Sequence, residues 1–264
     1  MSLRDRLLVI TIERITRTPL IGIPMAPIKL PLSCRPAEGF YDSEVAAPHS
    51  WPLRTFLPRG YEPSYPYPLI VFLHGKGSSE EQILRLAPRV SRRNYICIAP
   101  RGPHVVGPDR EGKITYSWGN DTEEPMFEDY VFRAIEQTCR SYHVHTERIF
   151  LAGFREGASL AYRLALQHPD KFGGIISLNG SMPRRGPLLR LQDVRGLKVM
   201  IGHGIANSVV PLSLAKQDYR LFYAAGMSVR MTTYPTTHRI HVDMLRDVDQ
   251  WLQDGISEEY DALP

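Results

Sequence analysis

The chain has 264 residues, of which 43% are hydrophobic and 23% are charged. This balance supports a sizeable core and excludes an intrinsically disordered chain. The formal net charge is only +4 and Lys and Arg are dispersed, so the clustered basic face that nucleic-acid binding requires is missing. The three cysteines, Cys34, Cys97 and Cys139, are far apart and have no zinc-ligand spacing, so we expect neither a metal site nor a cofactor.

The first 45 residues differ in pattern from the rest of the chain. A β-branched stretch at 7–12 predicts a strand, and five prolines between Pro19 and Pro36 then forbid a continuous helix. We therefore predict a proline-rich arm over 1–45 and one folded domain over 46–264. The arm is interpreted as a packing extension, with an oligomer contact or a lid as alternatives. The run at 7–12 is too short for a membrane span and resembles no signal peptide, so we expect a cytoplasmic protein.

From residue 50 onwards, apolar runs alternate with amphipathic stretches. The apolar runs predict strands at 51–57, 69–73, 94–100, 148–152, 174–178, 197–201 and 228–234. The amphipathic stretches predict helices at 80–93, 127–142, 156–168, 211–225 and 241–252. Continuous apolar runs are typical of strands that are buried on both faces of a parallel sheet. The alternation therefore predicts an α/β fold, in which helices cover both faces of a mostly parallel central sheet.

The most informative stretch is Gly153-Phe154-Arg155-Glu156-Gly157, which joins a predicted strand to a predicted helix. Glycines on both sides of a central residue are typical of the sharp strand-to-helix turn that presents a nucleophile in many hydrolases. The central residue of such a turn has a strained backbone conformation. The amide N–H groups that follow it open a helix, where the dipole favours negative charge.

Four motifs in this order resemble the phospholipase/carboxylesterase branch of the α/β-hydrolase superfamily. They are Leu73-His74-Gly75-Lys76-Gly77, the 153–157 turn, His203-Gly204 followed by Val209-Val210-Pro211, and Thr237-His238. The resemblance covers about residues 50 to 255. It implies an α/β-hydrolase fold for the domain over 46–264 and a serine esterase site at the ends of its strands.

The chain departs from this family at two of three catalytic positions. Carried over residue by residue, Arg155 occupies the nucleophile position, Asn207 the acid position and His238 the base position. A guanidinium stays protonated and cannot attack an acyl carbon. Asparagine can hydrogen-bond the histidine but cannot stabilise an imidazolium by charge, and we expect it to risk the wrong tautomer. The resemblance therefore implies a pseudoenzyme that is inactive as a serine hydrolase.

The resemblance also implies a preserved oxyanion hole, with the backbone N–H groups of Lys76 and Glu156 as donors beside Gly75. With Arg155 and His238 around these donors, the cleft would be cationic. Arginine binds carboxylate and phosphate groups through two parallel hydrogen bonds. We therefore predict that a small anionic or acyl ligand binds here.

Other interpretations stay open at this point. Arg155 could plug a dead site by reaching outwards or by pairing with Glu156 or Asp243. Trp118 is predicted to line the cleft, as a tryptophan often does in related esterases, although burial alone would also explain it. A second hypothesis is an active hydrolase with a non-standard nucleophile or with Glu156 as a base. The serines considered as nucleophiles are Ser78, Ser79, Ser181 and Ser208, together with Ser159, which is expected to point away from the turn. A third hypothesis is a structural or homo-oligomeric scaffold.

Overall fold

The computed structural model describes residues 36–45, 50–119, 124–183 and 194–261. The predicted strand at 7–12 and most of the proline-rich arm lie outside these residues. The strands are β1 Gly39–Val45, β2 Trp51–Leu57, β3 Tyr67–Leu73, β4 Ile96–Pro100, β5 His104–Pro108, β6 Ile114–Ser117, β7 Val144–Phe154, β8 Gly174–Leu178, β9 Lys198–Gly204 and β10 Ser228–Tyr234. The helices are α1 Glu80–Leu84, α2 Ala87–Val90, α3 Glu124–Ser141, α4 Glu156–Gln167, α5 Leu212–Ala224 and α6 Val242–Asp261.

The central sheet has eight strands in the order β1-β2-β4-β3-β7-β8-β9-β10. The first two pairings, β1 with β2 and β2 with β4, are antiparallel. All five pairings from β4 to β10 are parallel. The predicted fold class is confirmed, since a mostly parallel sheet forms the centre of the molecule.

Side chains of β3 show how the two faces of the sheet are covered. Leu69, Val71 and Leu73 belong to one apolar cluster with side chains from α3, α4 and α5. Ile70 and Phe72 belong to a second cluster with side chains from α1, α2 and α6. Successive residues of a strand point to opposite faces, so the unbroken apolar run of β3 is explained by helices on both sides. Among the described residues, no helix is long and apolar enough to cross a membrane.

Three local predictions differ from the structure. The helix predicted at 80–93 is two short helices, α1 and α2, because Pro88 lacks the N–H that a continuous helix would need at that point. Residues 39–45, which the sequence analysis assigned to the arm, form β1 and pair with β2 at one edge of the sheet. The small hairpin of β5 and β6 was not predicted, since its strands are only five and four residues long and neither carries a continuous apolar run.

Candidate active site

The four motifs meet at one edge of the sheet. Lys76 follows β3, Arg155 follows β7, Asn207 follows β9 and His238 follows β10. These strands are parallel within the sheet, so their carboxyl ends lie on the same side. In open α/β sheets, this edge is where ligands bind.

The strained turn between β7 and α4 forms with arginine at its tip. Arg155 has φ 55° and ψ −117°, a conformation that a residue with a side chain rarely adopts. A Cβ atom on Gly153 would lie 2.3 Å from the carbonyl oxygen of Gly157, and one on Gly157 would lie 2.0 Å from the oxygen of Leu73. Glycine is therefore required at both flanking positions, as the motif predicts.

The Arg155 side chain is partly exposed and lies against the loop that follows β3. A Cβ atom on Gly75 would lie 3.1 Å from Cβ and 3.2 Å from Cδ of Arg155. Within the described part of the chain, the Arg155 guanidinium has no ion pair or hydrogen bond. The positive charge is therefore left without a carboxylate partner from these residues.

The two carboxylates proposed as partners in the plug interpretation are engaged elsewhere. Glu156 accepts hydrogen bonds from the Ser117 hydroxyl at 2.8 Å and from the Trp118 backbone N–H at 3.1 Å. Asp243 pairs with Arg246 at 2.9 Å, and with His241 at 3.3 Å when that imidazole is protonated. The structure therefore does not favour a plug formed by pairing with Glu156 or Asp243, and it does not favour Glu156 as a base in the cleft.

Asn207 and His238 form the hydrogen bond that joins acid and base in a hydrolase triad. The Asn207 Oδ1 atom is 2.7 Å from His238 Nδ1 and also accepts the backbone N–H groups of Val209 and Val210 at 3.1 and 3.0 Å. The two backbone N–H donors require this atom to be the carbonyl oxygen of the amide, because an NH₂ group cannot accept, and this oxygen can only accept from His238 Nδ1. The asparagine thus holds His238 with its proton on Nδ1.

This arrangement corrects the expectation that asparagine would hold the wrong tautomer. With the proton on Nδ1, the Nε2 atom of His238 carries a lone pair, as the base of a triad does. The Nε2 atom is buried and has no hydrogen-bond partner in the part of the chain that the structure describes. The His238 ring lies beside Phe154, with ring centroids 5.5 Å apart, and is therefore next to the Arg155 turn.

A residue that the sequence analysis missed, Asn179, fixes the Asn207 amide. Its Oδ1 atom accepts the Gly204 N–H at 2.8 Å and the Asn207 Nδ2 group at 3.3 Å, and its own Nδ2 donates to the Arg239 carbonyl at 2.9 Å. Asn179 is fully buried and has φ 53°. The sequence signal was an Asn-Gly pair directly after a buried strand, because asparagine tolerates this backbone region.

His238 is held in its neutral form. Its pKa is lowered to about 4, chiefly by burial, then by the positive charge of Arg155 and by the neighbouring His203. Burial also lowers the pKa of His203, whose Nε2 atom is 2.8 Å from the Val210 carbonyl. At neutral pH, the positive charge of this site therefore comes from arginine and lysine, and His238 supplies an acceptor.

The predicted oxyanion donors, the backbone N–H groups of Lys76 and Glu156, belong to two segments next to Arg155, one that follows it in the chain and one that lies against it at Gly75. Among the described residues, the backbone N–H groups of Lys76 and Glu156 have no protein acceptor, and the Lys76 side chain is exposed. His74 supports the loop, since its Nε2 accepts the Gly102 N–H at 2.8 Å. Trp118 is 3% exposed, and its indole N–H donates to the His74 carbonyl at 2.9 Å. This placement indicates that Trp118 packs in the interior and supports the loop, rather than lining the cleft for a ligand.

Three of the alternative nucleophiles have structural partners. The Ser78 hydroxyl donates to Gln82, the Ser79 hydroxyl accepts the Gln82 N–H at the start of α1, and the Ser159 hydroxyl donates to the Ser181 carbonyl. Each of these hydroxyl groups therefore has a structural role in a loop or at a helix end, and none of the three is favoured as a nucleophile.

Two clefts are lined by none of the candidate site residues. One has a volume of about 270 Å³ and is lined by Glu80 and Arg101, which pair with each other. The other has a volume of about 490 Å³ and is lined by Glu38 and Arg92, which also pair. These two ion pairs engage the named charges of both clefts within the protein.

The fold and the site define an α/β-hydrolase. Residues 63–256 match the Phospholipase/Carboxylesterase family model, so the chain belongs to this family. It is similar to a probable carboxylesterase of Oryza sativa subsp. japonica, with 24% identity over 73% of this chain and 90% of the relative. It is also similar to acyl-protein thioesterase 1 of Saccharomyces cerevisiae, with 28% identity over 57% of this chain and 76% of the relative.

The fold is similar to that of solved carboxylesterases. The carboxylesterase from Mesorhizobium loti superposes with a TM-score of 0.64 and 20% identity, covering 77% of this chain and 94% of that protein. The carboxylesterase of Bacillus cereus superposes with a TM-score of 0.59 and 19% identity, covering 72% of this chain and 89% of that protein. At these identities, the likeness shows the fold alone.

Proposed function

We propose that this member of the phospholipase/carboxylesterase family does not act as a serine hydrolase but binds a small anionic or acyl ligand at Arg155. The observation that carries the proposal is a guanidinium without a carboxylate partner in the described residues, at the tip of an intact nucleophile turn. The backbone N–H groups of Lys76 and Glu156 add further donors. A carboxylate is suited to this arrangement because it can accept two parallel hydrogen bonds from arginine.

Hydrolysis is not favoured by the groups that the site offers. Arg155 has no lone pair to attack an acyl carbon. A water molecule activated by His238 is the remaining route, but a base is most effective when its pKa is near the working pH. The pKa of His238 is lowered to about 4, so at neutral pH the imidazole is a weak base. The alternative of an active esterase therefore lacks a nucleophile at the tip of the turn and a strong base.

The names of the relatives support an acyl ligand. They are carboxylesterases and an acyl-protein thioesterase, whose reactions release a carboxylate. An arginine at the nucleophile position can bind such a carboxylate where the active relatives would bind the acyl group. The cytoplasmic location predicted from the sequence is part of the same proposal. The scaffold hypothesis is left without a specific observation in its favour.

Titration calorimetry with acetate and butyrate tests the proposal. The wild-type protein should bind both acids, and Arg155→Met should weaken binding at least about tenfold, the loss expected for one charge-assisted hydrogen-bonded pair. Arg220→Met is a matched control, since Arg220 is exposed on α5, and should bind as the wild type does. Absence of binding to the wild type, or equal binding by Arg155→Met, would overturn the proposal.

A further inference from the structure

We infer, building on the proposed function, that the preferred ligand carries a hydroxyl group directly beside its anionic oxygen, so that it donates a hydrogen bond to His238 while it accepts from Arg155. Two kinds of small molecule share this chemistry. In a 2-hydroxycarboxylate, the hydroxyl is on the neighbouring carbon. In a hydrogen phosphate group, it is on the same phosphorus atom.

The acceptor half of this recognition is the Nε2 atom of His238. The hydrogen bond from His238 Nδ1 to Asn207 Oδ1 at 2.7 Å keeps the ring proton on Nδ1, so that Nε2 carries a lone pair. Nε2 is buried and has no partner among the described residues. Buried polar groups are nearly always hydrogen-bonded, and an acceptor without a donor is costly. A ligand hydroxyl would supply the missing donor.

The donor half of the recognition consists of the Arg155 guanidinium and the backbone N–H groups of Lys76 and Glu156. All of these groups donate and none accepts. A plain carboxylate would satisfy them but would leave His238 Nε2 without a donor. The combination of several donors with one acceptor therefore selects a ligand that is both anionic and a hydrogen-bond donor.

Protonation of His238 is not an alternative way to satisfy Nε2 at neutral pH. The nearby positive charge of Arg155 and burial both favour the neutral imidazole. The Asn207 amide also lacks the negative charge that would stabilise an imidazolium. We therefore assign the donor of the hydrogen bond to Nε2 to the ligand.

The size of the selectivity follows from one hydrogen bond. A hydrogen bond at a partly buried site is worth about a tenfold difference in affinity, and an acceptor left unsatisfied raises the difference towards a hundredfold. Sites that bind a substrate hydroxyl reject analogues that lack it for the same reason. We expect the hydroxylated ligand to bind about 10 to 100 times more tightly than its matched analogue.

Matched ligand pairs test this inference by calorimetry on the wild-type protein. Glycolate should bind at least about tenfold more tightly than acetate, and methoxyacetate should lose that advantage because its ether oxygen cannot donate. Phosphate at pH 6, where the dihydrogen form carries hydroxyl groups, is compared in the same way with sulfate, which has none. A preference in the first pair alone identifies a 2-hydroxycarboxylate, and one in the second pair alone identifies a phosphate group.

The variant His238→Phe completes the test. It should bind glycolate no more tightly than acetate, so the ratio of the two affinities should fall to about one. Equal affinity of the wild type for both members of each pair would overturn the inference while leaving anion binding by Arg155 intact. If no anion binds, the proposed function itself fails. A preference for glycolate that methoxyacetate retains would also overturn the inference, because it would not depend on the donated hydrogen bond.

Discussion

Replacing Arg155 by methionine should raise the pKa of His238. Three effects lower this pKa to about 4 from the ordinary 6.5, and burial is the largest of them. The positive charge of Arg155 comes second and His203 third. Methionine preserves the aliphatic bulk that lies against Gly75 but removes the charge. One charge acting across a partly solvated contact is worth about 1 kcal/mol, which corresponds to a rise of about 0.7 pKa units. Because burial persists, the new pKa should stay below 6.5.

The pKa of His238 can be measured by NMR from the ring proton resonances, assigned with a His238→Gln variant. The titration runs from pH 8 down to the lowest pH at which the fold persists. Arg220→Met serves as a control and should leave the pKa of His238 unchanged, because Arg220 is exposed on α5. An unchanged pKa in Arg155→Met would refute the inference that the guanidinium and the imidazole share one site.

Three further predictions concern stability. Gly157→Ala should lower the free energy of unfolding by about 3 kcal/mol or more in chemical denaturation, because its Cβ would lie 2.0 Å from a backbone oxygen. Gly196→Ala, where nothing lies within 4 Å, should change it by less than about 0.5 kcal/mol. Asn179→Ala should lower the free energy of unfolding by about 2 to 4 kcal/mol, since the Gly204 N–H and the Asn207 amide lose a buried acceptor. A loss smaller than the one that Gly196→Ala causes would contradict this role. Burial raises the pKa of Asp218 to about 6 from 3.8, so its ionisation destabilises the folded state as pH rises through this window. Asp218→Asn should therefore stabilise the protein by about 3 kcal/mol at pH 8 and by only about 0.5 kcal/mol at pH 4, and an equal gain at both values would exclude this cause.

The sequence predicted the part of the site that rests on strand order. The strand pattern predicted the parallel strands β3, β4, β7, β8, β9 and β10. Parallel strands place the residues that follow their carboxyl ends on the same side of the sheet. The glycines at 153 and 157 predicted the strained turn, because a Cβ at either position meets backbone atoms within 2.3 Å. The family resemblance assigned Arg155, Asn207 and His238 to catalytic positions, and the strand order explains why the three residues meet.

The sequence could not predict which way the Asn207 amide faces. That orientation depends on the Val209 and Val210 N–H groups and on Asn179, which come from different parts of the chain and meet only in the folded state. The tautomer of His238 follows from this network and not from the residue type. In the same way, the partners of Glu156 lie on the unpredicted β6 segment, so its engagement with Ser117 was not foreseen.

The local environment of two segments also explains why the sequence analysis predicted them wrongly. Residues 39–45 carry a mixed pattern of exposed and partly buried positions, because β1 is an edge strand with only one neighbour. An edge strand lacks the continuous apolar run that marked the central strands. The interruption between α1 and α2 was signalled by Pro88, but the apolar spacing of the segment outweighed it in the sequence analysis.

Ester hydrolysis by Arg155→Ser tests most directly the claim that an intact hydrolase site surrounds an arginine in the nucleophile position. The assay follows the release of p-nitrophenol from p-nitrophenyl butyrate. The wild type should show no turnover beyond that of His238→Ala. Arg155→Ser should gain about tenfold or more, because it restores a nucleophile, Asn207 already holds His238 with its lone pair on Nε2, and loss of the Arg155 charge makes the imidazole a stronger base. Absence of any gain in a folded Arg155→Ser variant, or wild-type turnover that His238→Ala abolishes, would contradict the claim.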